Sequence, residues 1–211
     1  MSRFESSRFT RNALVINPEV IKKACDKLGW SYQVKDNVLT VTNAKQSSSL
    51  WGEYALKLDM ATNKVTYNTY YMSDAKEKVE ELQKCFYEIN AVYSREALIQ
   101  EFLKKGFTYR TDLRFVPTDT EVFQFYMEGI SEEIDEDEPI ARIKFTILTD
   151  GTIVTNSDYL PNDVNERAHD AMDVLEKLLG NKRVMTKKEV PARYLSKMKP
   201  RRTNESQIKH Q

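Results

Sequence analysis

The chain has 211 residues, of which 40% are hydrophobic and 30% are charged, a balance typical of globular domains with one core or two small ones. No apolar run approaches the ~20 residues that span a bilayer, and the opening MSRFESSRFTRN lacks the apolar segment of a signal peptide, so we expect a cytoplasmic protein. The formal charge is zero, yet residues 181–211 hold ten Lys and Arg against two Glu, giving +8 and leaving −8 for residues 1–180.

The first third of the chain predicts a strand, a short helix and two β-hairpins. Phe9 is the clearest inward-facing residue of the first strand. Asn17 is a favourable N-cap and Pro18 suits a first helical turn, so we predict a helix from there to Gly29. The predicted strands are residues 4–15, 30–34, 38–41, 53–60 and 64–71, with turns at Asp36-Asn37 and at residues 61–63.

A long helix is predicted in the middle of the chain. Ser73 is a favourable N-cap, and apolar residues recur at helical spacing as far as Lys105, where Gly106 ends the pattern. Ser94 offers a second N-cap, so a break near Tyr93-Ser94 is an alternative to one continuous helix.

The remaining elements alternate strands with turns before a last helix. Strands are predicted at residues 107–116, 121–128, 141–148 and 152–156, the last two joined by an Asp150-Gly151 turn. A helix capped by Asn162 or Asp163 then runs to Gly180. The run between the second and third of these strands is strongly acidic and typical of a solvated loop. Its acidic residues are Glu132, Glu133, Asp135, Glu136, Asp137 and Glu138.

Together these elements predict an α+β fold of antiparallel β hairpins packed by helices, with a C-terminal ββα unit and a basic tail. We place an α+β body at 1–128 and an acidic loop or linker at 129–139. The ββα unit at 140–180 is expected to pack on the body, and residues 181–211 are expected to form a flexible basic tail.

Residues 1–116 resemble the conserved reading frame of unknown function found in cyanobacteria and chloroplast genomes. The shared features are the opening MSRF, the helix end Leu28-Gly29-Trp30, the hairpin at 56–71, and the block NAVYSREALIQEFLKKGF at 90–107. The chain departs from that family at Arg3, where the family has His, and in its serine loop at 47–49.

Residues 142–180 resemble a small ββα family of unknown function, with a strand, an Asp-Gly turn, a second strand and one amphipathic helix ending in Leu-Gly. Genes of the two families often lie side by side in bacterial genomes, next to an ATPase of the AAA type. The resemblance therefore implies an accessory partner of such an ATPase, with both families fused in one chain.

The residue types needed for catalysis are sparse. Cys25 and Cys85 are expected to be buried spectators, and His169 is expected on the surface of the last helix, while His210 lies in the tail. No zinc-ligand spacing, EF-hand, Walker loop or G-x-G-x-x-G motif occurs. We therefore predict a non-enzymatic protein without cofactor or metal.

Two features favour binding. Exposed aromatics on a sheet can stack bases or anchor a protein, although alternate members of the set Trp51, Tyr67, Tyr70 and Tyr71 are expected in the core. Our leading hypothesis is an adaptor, a partner of an AAA-type ATPase, and the alternative is nucleic-acid binding through the tail. The candidate binding residues of the tail are Lys187, Lys188, Arg193, Tyr194, Lys197, Lys199, Arg201 and Arg202.

Overall fold

The structure is a computed structural model that describes residues 4–10, 15–44, 54–69, 72–132, 141–157 and 160–179. The described residues form two antiparallel sheets and three helices, which confirms the predicted α+β class. Residues 133–140 and the tail at 181–211 lie outside these ranges, as do the predictions made for them. Within the described ranges, no helix is both long and apolar enough to cross a bilayer.

Five strands form the first sheet: β1 (Phe4–Arg8), β2 (Ser31–Lys35), β3 (Val38–Asn43), β4 (Leu56–Asp59) and β5 (Lys64–Asn68). All pairings are antiparallel, in the order β1-β5-β4-β3-β2. Asp36 and Asn37 both have positive φ, at 50° and 63°, as a two-residue type I′ hairpin requires. The predicted turn between β2 and β3 is therefore confirmed.

Helix α1 (Pro18–Leu28) packs its apolar stripe on this sheet, and both of its predicted ends are confirmed. The Asn17 side chain accepts a hydrogen bond from the backbone N–H of Glu19 at 2.9 Å. Gly29 takes the left-handed conformation at φ 70°, and its N–H donates to Asp26 O at 3.0 Å. These contacts satisfy backbone groups that a helix end leaves unpaired.

The first strand is shorter than predicted, because β1 ends at Arg8 and not near residue 15. The backbone N–H of Phe9 donates to Asn63 O at 3.1 Å, and that of Thr10 donates to Asn63 Oδ1 at 2.8 Å. These bonds turn the chain onto the β4–β5 connection instead of continuing the ladder. The Phe9 side chain is fully buried, as expected.

Helix α2 (Ala75–Lys104) is continuous over 30 residues, which confirms the predicted long helix. The alternative, a break near Tyr93-Ser94, is wrong. Ser94 is buried inside the helix, and the burial of neighbouring residues on both sides outweighs its weak local preference for a cap. The N-cap position is Asp74, one residue after the predicted Ser73.

Four strands form the second sheet: β6 (Thr108–Thr111), β7 (Glu121–Gly129), β8 (Ala141–Leu148) and β9 (Ile153–Ser157). They pair antiparallel in chain order. The predicted strand at 107–116 ends at Thr111 because Asp112 turns the chain. The Asp112 carbonyl accepts from Phe115 N at 3.2 Å, and its carboxylate accepts from Arg114 N at 3.0 Å.

Helix α3 (Asn162–Leu179) and the second half of α2 cover one face of the second sheet. The described residues thus form two hydrophobic cores, which meet on α2 between Phe86 and Ala91. The segment predicted as a boundary, 129–139, lies between β7 and β8, which pair with each other in one sheet. The limits of the domains themselves stay a prediction.

Asn90 ties the β8–β9 turn to α2 at the junction of the cores. Its side chain is buried and donates to Asp150 O at 2.9 Å. The next residue, Gly151, has φ 87°, and a Cβ there would lie 2.3 Å from Asn90 Nδ2. The Asp-Gly turn therefore needs its glycine both for its backbone conformation and for close contact with the helix.

We predict that Gly151→Ala lowers the free energy of unfolding by about 3 kcal/mol, measured by urea denaturation. The left-handed backbone accounts for roughly 1–2 kcal/mol of the loss, and the clash with Asn90 accounts for the rest. The matched control is Gly106→Ala, because Gly106 has φ 80° but its Cβ would meet only the flexible Arg167 side chain at 3.3 Å. Equal losses in the two variants would contradict the close contact.

Candidate functional site

The structure leaves most of the predicted binding residues undescribed. All eight tail residues, from Lys187 to Arg202, lie outside the described ranges, as do Trp51, Tyr70 and Tyr71. Tyr67 is described, and it is buried in the first core, so it offers no exposed ring to a ligand.

The cysteines and the described histidine take the places expected of them. Cys25 and Cys85 are buried free thiols between α1 and α2, and Cys85 Sγ lies 3.7 Å from Ala24 O. Burial raises the pKa of Cys25 to about 12, so its thiol stays protonated and is a poor nucleophile at neutral pH. His169 is exposed on α3. Among the described residues no three His, Cys, Asp or Glu side chains cluster to hold a metal ion.

The second sheet has one face that no described helix covers, and we call it the outer face. Phe125, Ile143 and Phe145 point to the other side, into the core beneath α2 and α3. Because side chains alternate along a strand, their neighbours in sequence point outward. The outer face carries Arg110, Gln124, Tyr126, Glu128, Arg142, Lys144, Thr146, Val154 and Asn156.

Two arginines converge on Glu128 at one end of this face. Glu128 Oε2 accepts from Arg110 Nε at 3.1 Å, and Glu128 Oε1 accepts from Arg142 Nε at 2.9 Å and also from its Nη2. The Glu128 side chain is only 6% exposed, whereas both arginine side chains are 63% exposed. The carboxylate is therefore enclosed beneath two guanidinium groups that remain open to solvent. We call these three residues the arginine clamp.

The arginine clamp also determines the charge of Glu128. Burial alone would raise the pKa of Glu128, but hydrogen bonds from Arg110 and Arg142, together with their charges, outweigh burial and lower it. Glu128 is consequently ionised at neutral pH, and it keeps both guanidinium groups in place through charge-assisted hydrogen bonds.

Tyr126 occupies the middle of the outer face, between two cations. The register places Arg110 opposite it on β6 and Lys144 opposite it on β8. The guanidinium carbon of Arg142 lies 5.2 Å from the centre of its ring, and Lys144 Nζ lies 6.0 Å from it, within or at the limit of cation–π contact. Its hydroxyl donates to Asp112 Oδ2 at 3.2 Å, which links the face to the loop that follows β6.

That loop, residues 112–120, is held at both ends by hydrogen bonds and projects apolar side chains into solvent. Leu113 is 92% exposed and Val116 is 74% exposed. Asp112 fixes one end of the loop through the bonds to Arg114 and Phe115 described above. At the other end, Thr118 Oγ1 accepts from Glu121 N at 3.0 Å. Leu113 and Val116 thus present apolar surface close together in sequence on one surface loop.

Part of the outer face was visible in the sequence. The alternation of residues 141–148 already places Arg142 and Lys144 on one face, opposite Ile143 and Phe145. Sequence reasoning missed their convergence with Arg110 and Glu128, because that depends on the register between β7 and strands on either side of it.

Replacing Glu128 with Gln should lower the free energy of unfolding by about 1 kcal/mol at pH 7, because three charge-assisted hydrogen bonds from two arginines lose their charged acceptor. Since the folded-state pKa is lowered, this stabilisation is present above the ordinary value of 4.5 and is lost as pH falls through the folded-state pKa. Urea denaturation should therefore show the free energies of unfolding of wild type and Glu128→Gln converging as the pH falls through the lowered pKa of Glu128.

The matched control is Glu88→Gln. Glu88 pairs with Lys27 on the surface at 3.1 Å, with both side chains more than half exposed. Loss of this ion pair should therefore change the free energy of unfolding by close to zero. If the free energies of unfolding of wild type and Glu128→Gln differed by the same amount at every pH, this would contradict an ionised Glu128 in the arginine clamp.

Comparison with protein-family models, with curated proteins and with solved structures gives no match to this chain. The resemblance of residues 1–116 and 142–180 to two families of unknown function therefore stays a prediction.

Proposed function

We propose that the protein is a non-enzymatic adaptor that docks onto a partner protein through the β6–β7 loop. The observation that carries this proposal is the exposure of Leu113, 92% on a turn fixed by the Asp112 hydrogen bonds. At this exposure, Leu113 packs little against the described part of the chain. Burying it together with Val116 on a partner would contribute roughly 1.5–3 kcal/mol for each side chain.

The hydrogen bonds at the two ends of the loop support the same proposal. Ordering a flexible segment on binding opposes association, and the bonds at Asp112 and Thr118 restrict the loop before binding, which lowers that cost. Apolar anchors presented by a rigid scaffold are the usual centre of a protein–protein interface, and polar neighbours such as Arg114 and Asp119 would form its rim.

The proposed partner class is an AAA-type ATPase, and this part of the proposal rests on the family resemblance alone. The protein itself would act in the cytoplasm without a cofactor. Co-expression with an AAA-type ATPase encoded beside the gene, followed by affinity purification, tests the pairing. Repeated failure of the intact chain to retain the ATPase, with and without nucleotide, would contradict it.

The alternative function is nucleic-acid binding through the tail, and its support is the charge of +8 on residues 181–211. Binding by such an arm weakens steeply with salt because counterions are released from the phosphates. Fluorescence anisotropy of the full chain and of a 1–180 truncation, at low and physiological salt, measures this directly. Equal binding by both forms would contradict a role for the tail.

We predict that Leu113→Ser combined with Val116→Ser abolishes capture of the ATPase while changing the free energy of unfolding by less than about 0.5 kcal/mol, since both side chains are already in water. The matched control is Val34→Ser, at an exposed valine of the first sheet, which should leave capture unchanged. Undiminished capture by the double variant would contradict docking through this loop.

A further inference from the structure

We infer that the outer face of the second sheet is a binding site for single-stranded nucleic acid, in which Arg110 and Arg142 hold phosphates beside a base stacked at Tyr126. This site lies in the folded body and is separate from the tail. It also goes beyond the adaptor function, because it uses the sheet and not the β6–β7 loop.

The first step of the argument is the hydrogen-bonding capacity left on the arginine clamp. Each guanidinium group has five N–H donors. Among the described residues, Arg110 donates only through Nε, and Arg142 donates through Nε and Nη2, all to Glu128. Both terminal nitrogens of Arg110 and one of Arg142 therefore remain available. Glu128 fixes the two groups without using up their donors, so an incoming phosphate meets arginines that are already oriented.

The second step is the position of the aromatic ring. Neighbouring strands lie about 4.8 Å apart, so the row Arg110, Tyr126 and Lys144 places a cation one strand away on each side of the ring. Single-stranded binding sites combine a cationic track for the backbone with aromatic or guanidinium planes on which bases stack. Arg142, which lies over the Tyr126 ring, supplies such a plane at the same place.

The third step is the choice between a nucleic acid and an acidic protein. An acidic segment needs cations but has no use for a stacking surface, whereas the outer face centres its cations on an aromatic ring. Polar side chains that can hydrogen-bond base edges continue the face along β7 and β9. They are Gln124 and Asn156. A nucleic acid uses all of these groups, so it is the ligand that the face fits.

The experiment uses the full chain and a fluorescein-labelled oligothymidine of about twelve nucleotides, within the usual length of such sites. Fluorescence anisotropy gives affinity at several salt concentrations, and the tail is present in every variant. Arg110→Gln and Arg142→Gln should each weaken binding about tenfold. Each should also reduce the slope of log affinity against log salt by about 0.7, the contribution of one phosphate contact on a single strand.

Glu128→Gln separates orientation from simple charge. It makes the face more positive by one charge, so a purely electrostatic surface would bind more tightly. If Glu128 positions the two guanidinium groups, affinity should instead fall about threefold, and thermal unfolding in the same buffer confirms that the variant is folded. Tighter binding by Glu128→Gln would overturn the positioning role.

The matched control is Arg8→Gln, which removes an exposed arginine from a strand of the first sheet and should change affinity less than about twofold. Three results would overturn the site: unchanged affinity in Arg110→Gln and Arg142→Gln, an equal loss in Arg8→Gln, or equally effective competition by a polyglutamate peptide of matched charge. No partner protein enters this experiment, so its failure is distinguishable from failure of the adaptor proposal.

Discussion

Helix α2 belongs to two hydrophobic cores at once, and the rest of the architecture depends on this sharing. Its first half closes the five-stranded sheet together with α1, and its second half closes the four-stranded sheet together with α3. Tyr93 packs against both cores. Near the junction, the buried Asn90 amide donates a hydrogen bond to the β8–β9 turn, because an unpaired amide inside a core would lower stability. One continuous helix and one polar contact thus position the second sheet.

This arrangement also explains why the candidate sites are where they are. Both helices that cover the second sheet lie on the same side of it, so the opposite side remains open along the described strands. Polar and charged residues on that side must satisfy one another across strands, and the enclosure of Glu128 by Arg110 and Arg142 is the result. Asp112 accepts a hydrogen bond from the Tyr126 hydroxyl, and this bond places the β6–β7 loop beside the same surface.

The features that could be predicted from the sequence are helix ends and a turn determined by nearby residues. Asn17, Gly29 and the Asp36-Asn37 turn were readable because each is determined by residues within a few positions. The helical spacing predicted the length of α2 but left a break at Ser94 as an alternative. Ser94 is a favourable N-cap, and only the burial of helix residues in two separate cores outweighs that preference. Only part of the arginine clamp could be predicted from the sequence. Alternation places Arg142 on the outer face, but its pairing with Glu128 is set by strand register across a long acidic connection.

The shared helix also orders the events of synthesis. Every buried residue of the first core that the structure describes lies before residue 87, so that core can close while the second sheet is still being translated. From that moment until residues 107–179 emerge, the second half of α2 carries an uncovered apolar stripe that includes Leu98 and Phe102. A nascent chain that has closed its first core but not yet its second therefore exposes an apolar helix face. Such a face is the kind of surface that chaperones bind.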